Sequence, residues 1–181
     1  MTYANAREAL ADLIRFVPDF PEEGVVFEDL TPALADAEGF RLIIDDLTER
    51  CRAMGAEVIA GLDARGFLLG SAVAYKLGVG LLAVRKKGKL PPPVHSEVYE
   101  LEYGTAALEV PANGIHLEGR RVVLVDDVLA TGGTMGAAMK LLEHCGATIG
   151  GLCVVLEVEG LGGREALAGT DIYVVDSPEG R

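Results

Sequence analysis

Two adjacent aspartates followed by a loop rich in hydroxyl and glycine residues form the segment with the clearest capacity for chemistry. A short apolar run at residues 122–125 leads into Asp126 and Asp127, and residues 130–134 then open a predicted helix. Glycines allow the backbone to approach a ligand closely, and the first amides of a helix can bind a phosphate. The two carboxylates can accept hydrogen bonds from sugar hydroxyls. This order of residues is suited to a sugar phosphate.

The same loop lacks the features of two common nucleotide-binding motifs. Gly132 and Gly133 are not followed by Lys-Ser or Lys-Thr, as a Walker loop requires. The glycines also lack the spacing of the dinucleotide-binding fingerprint. Binding of a nucleoside triphosphate or NAD through this loop is therefore disfavoured.

Composition indicates one acidic domain over residues 1–181. Half of the 181 residues are apolar, enough for a full core, and no linker of low complexity divides the chain. The 28 acidic and 16 basic residues give a formal net charge of −12, which disfavours binding to nucleic acid or to an anionic membrane. A polyanionic substrate would need a local basic patch, and Arg85, Lys86, Lys87 and Lys89 provide one.

The cysteines indicate a reducing compartment. Cys51, Cys145 and Cys153 are isolated and odd in number, which favours neither a disulfide framework nor a zinc site. The N-terminus lacks a basic region followed by an apolar signal core, and no apolar window has the length needed to span a bilayer. We therefore expect a soluble, cytoplasmic protein.

Hydrophobic periodicity predicts an α/β fold. Helical spacing of apolar residues predicts helices over residues 6–14 and 40–54, the second ending at Gly55. Helical segments are also predicted near residues 67–77 and 136–144. Short apolar runs predict strands at residues 58–62, 81–84, 122–125, 149–156 and 172–175. This alternation is typical of a doubly wound, mostly parallel sheet flanked by helices.

Polar segments follow four of the predicted strands, at the edge of the sheet where ligands of such folds bind. These segments are residues 63–65, the basic run, the loop after Asp127, and residues 157–161. Residues 97–110 interrupt the alternation of strands and helices. Their apolar residues surround Gly104, which predicts a β-hairpin-like mobile lid.

Segment 122–134 resembles the phosphoribosyl-pyrophosphate signature of the type I phosphoribosyltransferases. Further segments resemble the adenine phosphoribosyltransferases within that family, and the similarity spans nearly the whole chain. These segments are residues 16–21 with 24–27, residues 61–67, residues 85–91 and residues 99–104. Hypoxanthine-guanine and orotate phosphoribosyltransferases share little beyond the phosphate loop.

The resemblance implies transfer of ribose 5-phosphate from phosphoribosyl pyrophosphate to N9 of adenine, giving AMP and pyrophosphate in purine salvage. It also implies Mg²⁺ as cofactor, held mainly by substrate oxygens and not directly by the protein, because hard cations prefer such ligands. A homodimer is implied, with the early helices and the loop near Arg85 at the interface.

Family positions assign roles around phosphoribosyl pyrophosphate. Arg65 and Lys89, with Lys86 or Lys87, match the pyrophosphate positions, and Arg65 is also implied in catalysis. Asp126 and Asp127 match the positions near the ribose hydroxyls. The loop for the 5-phosphate comprises Ala130, Thr131, Gly132, Gly133 and Thr134.

Glu102 corresponds to the family's catalytic glutamate on a flexible loop, residues 87–110. A carboxylate near N7 or N9 of adenine could accept or relay the purine proton as a general acid/base. Glu97 and Glu100 lie close by, and the residues alone do not rank the three. Pro92 stands where many relatives have glycine, so loop motion is expected to differ.

Adenine is expected at a base-binding hood, residues 1–35. Family positions imply that Phe27 stacks on the base, that the backbone of Val26 and Glu28 reads its polar edge, and that Leu161 closes the other side. Glu28 stands where some relatives have a basic residue.

Two alternatives stay open. The first is a phosphoribosyltransferase for another purine, such as xanthine or hypoxanthine. The second is a non-catalytic regulator that senses phosphoribosyl pyrophosphate. The strong negative charge and the lack of a basic helix-turn-helix segment disfavour the second.

Overall fold

The computed structural model describes residues 2–100 and 104–177. The chain divides into two compact units, Met1–Asp46 and Leu47–Arg181. The predicted hood, residues 1–35, falls within the first unit. Within the described ranges, the structure contains no helix that is long and apolar enough to cross a membrane.

The first unit starts with helix α1, Ala6–Leu13, as the apolar spacing predicted. Asn5 caps this helix, because its Oδ1 accepts a hydrogen bond from the Glu8 amide at 2.9 Å. The Glu8 carboxylate accepts one in return from the Ala4 amide at 2.7 Å. This reciprocal pair satisfies amides that the helix leaves free at its start.

A small antiparallel sheet follows α1. Strand β1, Arg15–Pro18, pairs with β2, Val26–Asp29. The rings of Phe20 and Phe27 meet edge to face, with centroids 5.3 Å apart. Helix α2, Thr31–Ala35, comes next, and α3, Ala37–Ala53, continues into the second unit. The two short strands were not predicted, because four residues are too few to show an alternating pattern.

The second unit is built on a seven-stranded sheet. Its strands are β3 (Val58–Leu62), β4 (Gly80–Lys86), β5 (Val94–Glu100), β6 (Thr105–Pro111), β7 (Arg121–Leu129), β8 (Thr148–Glu157) and β9 (Ile172–Asp176). The spatial order is β5-β6-β4-β3-β7-β8-β9. The neighbouring strands β4, β3, β7, β8 and β9 pair in parallel. Strand β6 is antiparallel to both of its neighbours, β4 and β5. The predicted mostly parallel sheet and all five predicted strands are confirmed.

Three helices accompany this sheet: α4 (Arg65–Leu77), α5 (Gly133–His144) and α6 (Gly163–Ala166). Residues 122–125 of the central strand β7 are completely buried, as expected for a parallel strand covered on both faces. Met135, Leu141 and Leu142 of α5 belong to the same core cluster as this strand. The core therefore holds the carboxyl ends of the central strands in place.

Helix α4 approaches the sheet so closely that backbone touches backbone. A Cβ atom at Gly66 would lie 2.6 Å from the Val125 carbonyl oxygen and 3.0 Å from Asp126 Oδ1. A Cβ atom at Gly61 would lie 2.7 Å from the Gly66 carbonyl oxygen. Only glycine fits such contacts without displacing the backbone. The approach places Arg65, the first residue of α4, next to the end of β7.

We predict that Gly66→Ala destabilises the protein by about 1–3 kcal/mol, the usual cost of overpacking. Gly80→Ala is the matched control, because a Cβ atom at Gly80 meets nothing within 4 Å. Chemical denaturation of both variants measures the difference. Equal unfolding free energies for the two variants would contradict the close packing of α4.

Candidate active site

A cavity of about 790 Å³ opens at the carboxyl ends of β3, β4 and β7. Three loops that follow these strands and the β5–β6 hairpin form its walls. Its lining residues are Asp63, Ala64, Arg65, Lys86, Lys87, Val98, Tyr99, Thr105, Ala106, Ala107, Asp126, Asp127, Val128, Ala130, Thr131, Gly132, Gly133, Thr134 and Met135. Three of the four polar segments predicted from the sequence therefore meet in one place.

The two aspartates belong to strand β7 itself, which runs on to Leu129. This differs from the predicted strand end at residue 125, because β7 stays paired with β8 up to Leu129. Asp127 is buried, and its carboxylate accepts a hydrogen bond from Arg65 Nε in an ion pair. The Arg65 side chain is 55% exposed, so the guanidinium also remains accessible from the cavity.

The carboxyl group of Asp126 has a raised pKa. Burial raises its pKa from 3.8 to about 8, and the negative charge of the neighbouring Asp127 adds to the rise. The Asp126 Oδ1 atom accepts a hydrogen bond from the Asp127 amide at 2.9 Å, which opposes the shift. The raised pKa favours the neutral form of the Asp126 carboxyl, which can donate a hydrogen bond as well as accept one.

The loop of residues 130–134 leads into the N-terminus of α5. Gly132 takes a positive φ of 82°, which glycine adopts without strain. Within the described residues, no side chain caps α5 and its first turn holds no acidic residue. The amides at this helix end are thus available to an anion, and the helix dipole favours negative charge there.

The basic loop after β4 is held by two carboxylates. Asp63 Oδ2 accepts hydrogen bonds from Arg85 Nε at 3.0 Å and from the Lys86 amide at 3.4 Å. Burial would raise the pKa of Asp63, but these hydrogen bonds outweigh it and hold the pKa below its ordinary value. The buried Glu109 accepts a hydrogen bond from the Gly88 amide at 3.0 Å. Both contacts orient the loop that carries the exposed Lys86 and Lys87.

Comparison with known proteins agrees with this geometry. Residues 33–176 match the family described as phosphoribosyl transferase domain. The adenine phosphoribosyltransferase of Corynebacterium diphtheriae is 68% identical over 174 residues, covering 96% of this chain and 95% of that protein. The chain belongs to the adenine phosphoribosyltransferase family.

Solved structures of this family share the fold. The adenine phosphoribosyltransferase of Thermoanaerobacter pseudethanolicus superposes with a TM-score of 0.88 at 45% identity, covering 94% of this chain and 98% of that chain. The Saccharomyces cerevisiae enzyme, complexed with an imino-altritol bisphosphate and adenine, has a TM-score of 0.87 at 35% identity. It covers the same shares, 94% and 98%.

Most of the residues predicted to bind phosphoribosyl pyrophosphate line the cavity. They are Arg65, Lys86, Asp126, Asp127, Ala130, Thr131, Gly132, Gly133 and Thr134, joined by Lys87. Lys89 is exposed and does not line it. The predicted site is thus largely assembled around one cavity by the fold.

The predicted adenine-binding residues lie on two different segments. Val26, Phe27 and Glu28 belong to β2 of the first unit, and Val26 is exposed. Leu161 is exposed in the loop between β8 and α6. Neighbours of Leu161 in that loop line a separate cavity of about 340 Å³. The adenine assignments remain predictions.

The structure describes two of the three candidate glutamates. Glu102 lies outside the described residues. Glu97 Oε2 lies 3.9 Å from Nδ1 of His144 at the end of α5. Glu97 and Glu100 line a neighbouring cavity of about 600 Å³ and not the 790 Å³ cavity with the two aspartates. The two cavities adjoin along Thr131, Gly132 and Gly133, and the role of Glu102 as the acid/base stays a prediction.

Sequence reasoning missed the wall that the β5–β6 hairpin contributes. Val98, Tyr99 and residues 105–107 line the cavity because β6 pairs with β4, the outermost strand of the parallel part of the sheet, at Arg85. That pairing joins segments more than twenty residues apart, and local periodicity carries no signal for it. The hairpin prediction itself is confirmed, since β5 and β6 are antiparallel.

The raised pKa of Asp126 predicts a pH-dependent stability. A carboxyl whose pKa is higher in the folded state contributes stability that is present below pH 3.8 and lost as the pH rises through about 8. Asp126→Asn removes this loss, so above pH 8 the variant should be the more stable protein. Each unit of pKa difference corresponds to about 1.4 kcal/mol.

Chemical denaturation of the ligand-free protein between pH 5 and pH 9 measures this effect. Glu159→Gln, a change at an exposed carboxylate, is the control and should follow the wild type. Parallel loss of stability in the wild type and in Asp126→Asn would show that Asp126 does not titrate as described.

Proposed function

We propose that this protein transfers ribose 5-phosphate from phosphoribosyl pyrophosphate to N9 of adenine and releases AMP and pyrophosphate, as part of purine salvage. One observation carries the proposal. A single cavity combines an uncapped helix N-terminus, two aspartates and a group of cations. In one substrate, the helix N-terminus would bind the 5-phosphate, the aspartates the ribose hydroxyls, and the cations the pyrophosphate. Family membership supports adenine as the base.

The charges of the cavity suit the transition state of this reaction. As pyrophosphate leaves, positive charge develops on the ribose ring and negative charge on the leaving group. Arg65, Lys86 and Lys87 line the cavity and can stabilise the leaving group, while the Asp127 carboxylate is proposed to interact with the ribose. The ion pair with Asp127 orients Arg65 before substrate binds, which lowers the reorganisation needed during the reaction.

Asp126 and Asp127 can bind the two ribose hydroxyls in different ways. The raised pKa of Asp126 favours its neutral form, which can donate a hydrogen bond to one hydroxyl oxygen. The Asp127 carboxylate, which is paired with Arg65, can accept from the other hydroxyl. Together they hold the ribose in one orientation, with its reacting carbon between base and pyrophosphate.

Magnesium is proposed to enter with phosphoribosyl pyrophosphate. Among the described residues, no cluster of three or more histidine, cysteine or acidic side chains could hold a metal ion. Asp126 and Asp127 offer hard oxygen donors of the kind that Mg²⁺ prefers, so the cavity is compatible with the ion. When bound, Mg²⁺ would neutralise charge on the pyrophosphate, with most of its ligands supplied by substrate oxygens.

Phe27 is proposed to stack on adenine, and the backbone of Val26 and Glu28 to read its edge. Leu161 is proposed as a further adenine contact. A carbonyl acceptor pairs with the adenine amine but opposes the oxygen of hypoxanthine. Leaving such groups unpaired costs about 1–3 kcal/mol. Glu102 is proposed as the general acid/base that handles the purine proton.

A cytoplasmic homodimer is proposed as the working form. Phe16 in β1, Phe20 shortly after it and Val26 in β2 are more than half exposed. Contiguous apolar patches at a surface often mark protein–protein interfaces. This supports an interface that includes the N-terminal segment.

A base-competition assay tests the reaction. With phosphoribosyl pyrophosphate and Mg²⁺, we expect AMP from adenine and at least about tenfold less nucleotide from hypoxanthine, guanine or xanthine, because unpaired polar groups oppose the oxopurines. Chromatography of the nucleotide product gives the ratio. Preference for another base would contradict adenine as the substrate but leave the proposed phosphoribosyl pyrophosphate site intact. Binding of phosphoribosyl pyrophosphate without any nucleotide product would indicate a regulator.

The role of Glu102 is tested by Glu102→Gln. We expect kcat to fall about 100-fold or more, with a small change in the affinity for phosphoribosyl pyrophosphate, because general acid–base catalysis contributes about 10²–10⁴-fold. Glu100→Gln, two positions earlier in the chain, is the matched control and should keep kcat within about threefold. An unchanged kcat in Glu102→Gln would remove Glu102 from the mechanism.

A further inference from the structure

The loop between β8 and α6 is closed by an ion pair outside the main cavity. Strand β8 ends at Glu157, and Arg164 Nε donates to both of its carboxylate oxygens, at 3.0 and 2.8 Å. The Glu157 side chain is 13% exposed and that of Arg164 is 36% exposed. Neither residue lines the cavity that contains Asp126 and Asp127. The pair therefore joins the two ends of the loop without a place in the main site.

The backbone between the two partners is bent at glycines. Gly160 and Gly162 take positive φ values of 77° and 70°. Leu161 lies between them and is 47% exposed. Glycine gives a loop many accessible conformations, so a loop of this composition needs restraints to hold one shape. The Glu157–Arg164 pair supplies a restraint at its ends.

The same loop packs directly against the proposed phosphate loop, residues 130–134, and against Leu129 before it. The Val158 amide donates to the Leu129 carbonyl oxygen at 2.9 Å. A Cβ atom at Gly163 would lie 2.9 Å from Leu129 Cγ, and one at Gly132 would lie 3.0 Å from the Gly163 carbonyl oxygen. Because these contacts leave no free space, a shift of Gly163 would displace Gly132.

We infer that Arg164 is a positioning residue, whose ion pair with Glu157 holds the loop of residues 158–163 so that Gly163 supports the 5-phosphate loop and Leu161 keeps its place. This inference rests on the proposed function, which assigns ligands to both of those elements. Removal of Arg164 leaves a mostly buried carboxylate without its cation. The loop then rearranges to hydrate that charge, and the phosphate loop loses its support.

Arg164→Met tests the inference through binding and turnover together. We expect the Kd for ribose 5-phosphate, measured by calorimetry, to rise about tenfold, roughly the loss of one charge-assisted hydrogen bond. The KM values for phosphoribosyl pyrophosphate and adenine should rise similarly. The kcat should stay within about threefold, because these contacts are made in the ground state and in the transition state alike.

Three further variants make the test specific. Arg164→Lys should recover part of the affinity, since lysine keeps the charge but lacks the planar guanidinium. Glu157→Gln should weaken binding like Arg164→Met, and the double variant should lose no more than either single change. Arg120→Met is the matched control, because Arg120 pairs with Glu57 where β7 begins, and it should bind ribose 5-phosphate like the wild type.

Three results would overturn the inference. The first is an affinity of Arg164→Met for ribose 5-phosphate within about twofold of the wild type, well below one lost hydrogen bond. The second is an equal loss of affinity in Arg120→Met. If Arg164→Met does not fold, an unchanged affinity in folded Glu157→Gln overturns it instead.

Binding of ribose 5-phosphate also separates this inference from the proposed function. A wild-type protein that binds ribose 5-phosphate but forms no AMP would contradict the proposed reaction, while the effect of Arg164 on binding would still be measured. A wild-type protein without affinity for ribose 5-phosphate would overturn both.

Discussion

The site depends on the packing of three elements. Strand β3 pairs in parallel with β7, and α4 contacts both strands directly. Parallel pairing brings the carboxyl ends of the two strands side by side, so the start of α4 meets the end of β7. Gly66 removes the side chain that would keep the two backbones apart. Arg65 therefore reaches Asp127, although 61 residues separate them along the chain. Burial of this corner and the charge of Asp127 also raise the pKa of Asp126, and the charge of Arg65 offsets the rise only in part.

The protein has a net charge of −12, so the proposed anion site requires that the carboxylates near the cavity be paired. The structure achieves this by pairing carboxylates with backbone amides and arginines around the cavity. Asp63 accepts from Arg85 and from the Lys86 amide, and Glu109 accepts from the Gly88 amide. Their charges are therefore used to orient the basic loop. Lys86 and Lys87 remain exposed at the cavity to attract a polyanion.

The proposed phosphate loop, residues 130–134, packs against a second glycine-rich loop, residues 158–163. Gly132 and Gly163 meet with no room for a side chain, so the conformation of one loop depends on that of the other. Loops of this kind lose much conformational entropy on folding and need external contacts to stay in place. The Glu157–Arg164 pair is such a contact, and neither of its residues lines the main cavity.

The sequence by itself determined the elements and the kind of ligand. Apolar runs such as residues 122–125 predicted every strand of the parallel part of the sheet, because buried parallel strands are continuously hydrophobic. The order of Asp126, Asp127 and the glycine loop indicated a sugar phosphate, because the chemistry of that segment is local. Contacts between distant segments were decided only by the tertiary structure. The strand β7 extends through both aspartates because β8 pairs with it, and the hairpin becomes a cavity wall because β6 joins β4. Local spacing carries no information about such pairings, since their energy arises only when the chain has brought the partners together.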